Sequence, residues 1–189
     1  MNLTHVYTID SLLEGCKMGD RKAQESLYKK LSSKMMGVCM RYAKDTNEAE
    51  DVLQMGFVKV FQKVSEFRGE GSFEGWIRRI MVNTAIESYR KNLRNLNLVD
   101  IEEVYDQPQS TFDMSGLEMK DLLKLVQQLS NGYRLVFNMY VIEGFSHKEI
   151  AAELGISEGA SKSQLSRARS ILKEKIIKME GLNYASHIG

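Results

Sequence analysis

Proline occurs once in the 189 residues, at Pro108. Almost nothing in the chain therefore forbids helix, and the Leu, Lys, Glu, Ala, Met and Gln of the long periodic stretches on either side favour it. The fold is expected to be all-α. Cysteine is nearly as scarce. Cys16 and Cys39 lie in apolar helical contexts with no CxxC and no adjacent histidine, which points to buried free thiols rather than zinc or disulfide chemistry. No apolar run approaches the roughly 18 residues needed to span a bilayer. The opening MNLTHVYTID has neither the basic start nor the apolar core of a signal peptide, so a cytoplasmic location is expected. Catalytic signatures are missing too: there is no Walker loop, HExxH or GxSxG. His5, His147 and His187 are scattered, with His147 expected on an exposed first turn. No enzymatic activity, metal or cofactor is expected.

What is present begins with enough apolar residues, 43% of the chain, to build real cores in one ordinary domain or two small ones. The net charge of +1 hides a pattern. Residues 76–94 hold five cations against one carboxylate, net +4, and residues 155–178 hold six against two, again +4. Between them, residues 95–121 hold one cation against seven carboxylates, net −6. Such segregation suits a protein that touches polyanions at two separate places; two solvated helix faces would give the same pattern.

The periodicity predicts four helices in the first half. The first spans about Ser11 to Met18 and stops at Gly19; Asp20 caps a second, from Arg21 towards Tyr42, with Ala23, Leu27, Leu31, Met35 and Val38 at helical spacing. Asp45 or Thr46 caps a third, whose inward stripe is Leu53, Phe57, Val60, Phe61 and Val64. After the glycine-broken loop around FRGEG, Ser72 caps a fourth helix that ends near Leu93. Phe73, Ile77, Ile80 and Thr84 turn inward there, and Arg79, Asn83 and Arg90 share a free stripe. Periodicity then disappears from Asn95 to about Gly116, an acidic interdomain linker containing the lone proline. The second half should open with a helix from Leu117 to Leu129, a breaker at Asn131-Gly132, and a helix from Tyr133 to Ile142.

Two more helices follow, and their junction is the most specific local signal in the chain. Ser146-His147-Lys148-Glu149 matches a capping box, the helix Ile150 to Leu154 is short, and Gly155-Ile156-Ser157 makes a three-residue turn before the next helix. With small Ala151 and Ala152 where the pair should cross, this is a helix-turn-helix pattern, although such a hairpin is sometimes only a packing unit. Leu165, Ala168 and Leu172 should face inward. Gly159, Lys162, Ser163 and Ser166 then face base edges, and Arg167, Arg169 and Lys173 face phosphates.

Two stretches taken together resemble the extracytoplasmic-function group of RNA polymerase sigma factors in the sigma-70 family. One runs from Glu48 to Arg90 and carries AED..Q (Ala49, Glu50, Asp51, Gln54) and F.G..SF..W...I..N (Phe67 to Asn83); the other runs from Asn138 and ends in GFSHKEIAAELGISEGASKSQLSRARSILK. The resemblance implies a polymerase-clamp and minus-ten domain over residues 1–94, an acidic linker over 95–116 that threads through the polymerase, and a minus-thirty-five domain over 117–189. It implies polymerase contact through Asp51 and Gln54. It also implies capture of melted non-template bases by Arg68, Ser72 and Phe73, with Asn83, Arg79, Arg90 and Lys91 along the strand. Trp76 is assigned to the core rather than to base stacking. Core RNA polymerase, promoter DNA and an anti-sigma factor are the implied partners. Met55, Asn131-Gly132, Ser161 and Gln164 depart from the usual pattern. A polymerase-independent helix-turn-helix regulator, or an adaptor whose basic faces bind acidic proteins, are the alternatives that the residues leave open.

Overall fold

Helix boundaries in this chain are set by local chemistry. Thr8 accepts a hydrogen bond from the Ser11 amide and starts α1 (Ile9–Lys17). Asp20 accepts from Lys22 and starts α2 (Arg21–Tyr42), and Asp45 accepts from Glu48 and starts α3 (Thr46–Lys63). Each side-chain oxygen satisfies an amide with no partner inside its helix. A single turn of tighter helix, Val64–Glu66, follows α3. Ser72 then accepts from the Gly75 amide at 3.0 Å, opening α4 (Phe73–Leu96). The remaining elements are α5 (Met119–Gln127), α6 (Asn131–Phe137), a wide π turn over Asn138–Ile142, α7 (His147–Leu154) and α8 (Glu158–Ser186). The computed structural model describes residues 8–96 and 119–186, with side chains over 8–92 and 122–179. Among these residues there is no strand, and no helix is long and apolar enough to cross a membrane. The expected linker lies almost wholly outside the described residues.

The chain divides into two units, Met1–Ser88 and Tyr89–Gly189. In the first, α1 packs on α2 and α2 on α3, and Leu12, Leu27, Met35, Val52, Phe57, Val60, Ile77, Met81 and Ile86 are all at most 2% exposed. Burying such side chains contributes about 1.5–3 kcal/mol each. Of the expected inward residues, Phe61 and Ile80 are only half-buried, and Met81, Val82, Ala85 and Ile86 take the core face of α4 instead. Helices α3 and α4 approach closely at Gly56, where a β-carbon would overlap the Met81 sulfur. Both cysteines are free and buried. Burial, with a smaller contribution from Asp20, pushes the Cys16 thiol up to about 11, and burial pushes Cys39 up to about 12, so neither is a ready nucleophile.

In the second unit α8 is the central helix, packed by α5, α6 and α7. Leu125, Val126, Leu135, Val136, Met139, Ile150, Leu165, Ala168, Leu172 and Ile176 form its core. The expected break at Asn131-Gly132 is instead the first turn of α6. The reason is Arg134, 2% exposed, whose guanidinium donates to the Asn131 Oδ1 at 2.6 Å and to the carbonyls of Gln127 and Leu129 at 3.0 and 3.2 Å. One side chain thus closes the end of α5 and holds the start of α6, and the tertiary contact overrides the local turn preference.

Candidate nucleic-acid interface

The capping box forms as the sequence requires. The Glu149 amide donates to the Ser146 hydroxyl oxygen, and the Ser146 amide donates to Glu149 Oε2 at 2.7 Å. Hydrogen bonds from the Ser146 hydroxyl and, second, its amide hold the Glu149 carboxylate below its usual range. Gly155 ends α7 at φ +69°, in the left-handed region where a side chain would be strained, and Ser157 accepts from the Ala160 amide at 3.0 Å to open α8. Two helices are thereby joined by a turn of three residues. Helix α7 seats Ile150 and Leu154 against α8, Ala151 is half-buried, and Ala152 is exposed. Only one of the two expected small crossing residues is therefore at the contact, because the inward face of the short helix is set by the larger pair.

On α8, Leu165, Ala168 and Leu172 are at most 4% exposed. Ser161 extends this buried stripe by one more turn and is wholly inaccessible. The opposite face presents Gly159, Lys162, Arg169 and Lys173 exposed, with Ser163, Ser166 and Arg167 half-buried. Donors and cations lie along the first four turns, with exposed positions both at the helix start and further along it. That arrangement fits the major groove, where the leading turns of a helix meet base edges and cations further along meet phosphate.

His147 departs from the sequence expectation. It is the first residue of α7 but is only half exposed, because its ring stacks on Tyr140, with centroids 4.5 Å apart and planes at 24°. Its Nδ1 shares a 2.9 Å hydrogen bond with Ser161 Oγ. Burial, then the charges of Lys162 and Arg169, hold the imidazole below the ordinary histidine range, against an opposing pull from Glu158. The sequence carried one signal of this contact, a serine at the inward spacing four residues before Leu165, since a buried hydroxyl needs a partner.

In the first unit, Arg68, Ser72, Arg79 and Asn83 are exposed. Glu87, the carboxylate in that basic stretch, is paired with Lys59, and Glu74 at the start of α4 with Lys34. Phe73, expected beside the strand-holding loop, is 5% exposed and stacks with Trp76 at 5.7 Å and 19°, while Phe67 packs against both rings at 5.2 and 5.6 Å. Phe73 therefore shapes the loop from within and offers no free face. Trp76 belongs to the same cluster, half-buried. Further along α4, in the part that belongs to the second unit, Lys91 is exposed, whereas Arg90, expected on the free stripe, is half-buried and lies 3.8 Å from the Glu153 carboxylate. Asp51 and Gln54 lie exposed on the outer side of α3, next to Met55 and Val58, at 44% and 55% exposure. Among the described residues no group of three His, Cys, Asp or Glu side chains could hold a metal ion.

The model for sigma-70 region 2 matches residues 27–95, and that for sigma-70 region 4 matches residues 119–172. The chain belongs to the sigma-70 family. Within it the similarity is to the extracytoplasmic-function group. The sigma-E factor of that group from Haemophilus influenzae is 28% identical over 182 residues, covering 89% of this chain and 95% of the relative. The RNA polymerase sigma-H factor of Pseudomonas aeruginosa is 27% identical over 177 residues, covering 87% and 92%. A solved structure of the sigma factor RpoE from Bartonella quintana in complex with the anti-sigma factor NepR is 25% identical, with a TM-score of 0.46, over 79% of this chain and 94% of that one. In this sigma factor α7, the turn and the first half of α8 lie inside the region 4 match, and the aromatic loop and α3 lie inside the region 2 match. A regulator working without polymerase accounts for the first match and leaves the second without a purpose.

Proposed function

We propose that this sigma factor joins core RNA polymerase through the exposed side of α3, at Asp51 and Gln54, and reads promoter DNA with both units. The observation that carries the reading is the α7–turn–α8 geometry with its open cationic face, in a chain that also holds the region 2 unit. On this reading residues 1–94 serve the clamp and the minus-ten element, 95–116 the linker, and 117–189 the minus-thirty-five element.

Lys162, Ser163, Ser166 and Gly159 meet base edges of the duplex, and Arg167 and Arg169 meet phosphates. Around α4, Asn83 hydrogen-bonds an unstacked base, while Arg68, Arg79, Arg90 and Lys91 track the backbone of the melted strand and Ser72 and Phe73 fix the loop that shapes the pocket. The chain does no chemistry itself and works in the cytoplasm, where the polymerase is. Strand opening is driven by the contacts that captured bases make. The relative solved with an anti-sigma factor suggests that this chain is held in check by a partner of the same kind.

The test is transcription from a promoter selected by the wild-type holoenzyme. Lys162→Ala/Arg167→Ala should lower upstream-element binding and leave polymerase capture intact; unchanged transcription in that double variant would show that α8 is not the reading helix. Asn83→Ala should slow promoter opening more than it weakens polymerase binding, and equal loss of both would count against its role.

A further inference from the structure

Three elements of the second unit converge on one ring. Tyr140 projects from the π turn of Asn138–Ile142, at 36% exposure. His147, first in α7, stacks on it and is tied by its Nδ1 to Ser161 of α8. Arg169, two turns further along α8, lies with its guanidinium carbon 5.7 Å from the centre of the Tyr140 ring. We propose that Tyr140, His147 and Ser161 are positioning residues that hold Arg169 ready to engage a phosphate of duplex DNA. The proposal rests on the reading of α8 as the helix that enters the duplex.

The physical case has three parts. An exposed arginine loses much rotamer freedom when it grips a phosphate, and an arginine already held over a ring loses less. A guanidinium held over a ring spends no N–H donor on that contact, and those donors are what match phosphate oxygens. The stack also needs an uncharged imidazole, since a second cation against the same ring would repel Arg169. Burial together with Lys162 and Arg169, acting against Glu158, favours that neutral form. Ser161 is inaccessible, so its hydroxyl has a standing requirement for the His147 partner, and the bond fixes the first turn of α7 against α8. The π turn is part of the device: its Glu143 amide reaches the Asn138 carbonyl five residues back, at 3.1 Å, and the widened turn brings Tyr140, Val141 and Ile142 to the surface together.

The experiment uses the full chain bound to core RNA polymerase, on a short duplex carrying the upstream element that the wild type selects, with affinity measured against salt concentration. Arg169→Ala should weaken binding roughly threefold to tenfold and lower the slope of log affinity against log salt by about one. Tyr140→Ala and His147→Ala should reproduce that change of slope, although neither residue is assigned to a phosphate. The double variant His147→Ala/Arg169→Ala should bind no worse than Arg169→Ala, and Tyr140→Phe, which keeps the ring, should behave as wild type. A His147→Ala variant with lower thermal stability and an unchanged slope would reduce the contact to a structural one and overturn the proposal. An unchanged slope in Arg169→Ala would overturn it as well, while leaving duplex reading by α8 in place. Only a wild-type holoenzyme without salt-dependent binding to the duplex would remove that reading, and the proposal with it.

Discussion

The two units of the molecule bury polar groups in different ways. In the first, the buried Thr84 hydroxyl is satisfied within its own helix by the Ile80 carbonyl at 2.8 Å. The centre of α1 to α4 is otherwise mainly apolar, with an aromatic cluster at the start of α4, and the Lys34–Glu74 and Lys59–Glu87 ion pairs tie α4 to α2 and α3. In the second, Arg134, Asn138 and Ser161 are all buried, and Arg134 and Ser161 form bonds that bridge successive elements. Apolar packing tolerates small rearrangements of volume, whereas buried hydrogen bonds fix one orientation. On the proposed function, the unit that presents a helix to a duplex of fixed geometry is the one whose successive elements are joined by buried polar contacts. The unit proposed to hold the melted strand has a centre built mainly of apolar side chains.

The sharpest way to break this contrast is to remove one element of each kind. Phe57→Ala in the first unit should cost about 3–5 kcal/mol, the usual range for a fully buried aromatic. Arg134→Ala should cost roughly 3 kcal/mol in the second, because it leaves the Gln127 and Leu129 carbonyls without their donor. Urea unfolding of the full chain, followed by hydrogen exchange of each unit, measures both. A loss spread equally over the two units by Arg134→Ala would contradict the separate specification of the second.

Smaller effects refine it. Ser146→Ala removes the cap of α7 and should destabilise the second unit by about 1 kcal/mol, whereas Thr84→Val, which loses only a bond within its own helix, should cost less. The smallest effect is pH dependence. Because the folded His147 binds its proton less readily than the unfolded chain does, the second unit should gain stability as pH rises through the ordinary histidine range. It should keep that stability above it, and lose it as the solution is acidified. His147→Asn should flatten the profile between about pH 5 and 7; an unchanged profile would assign the dependence to other groups.

Much of this was legible in the sequence because it is written locally. Asp20 and Tyr42 bracket α2 where periodicity put its ends, and the Ser146 capping box and the left-handed Gly155 are each decided within four residues. The exposed Lys162, Arg169, Arg79 and Asn83 followed from helical spacing once the apolar stripes were known. What could not be read depends on residues distant in the chain. Helix α6 begins at Asn131 because of Arg134 and the end of α5, Phe73 is closed in by Phe67 and Trp76, and His147 is drawn inward by Ser161, fourteen residues away. Ser161 marked that last contact through its inward spacing, but a single hydroxyl does not name its partner.

Purified chain added to purified core RNA polymerase on a library of genomic DNA fragments is the most direct test of the central claim. Discrete run-off transcripts that appear only when both proteins are present, and that vanish with Asp51→Ala/Gln54→Ala, are the predicted result. Transcript patterns identical with and without the chain would contradict it.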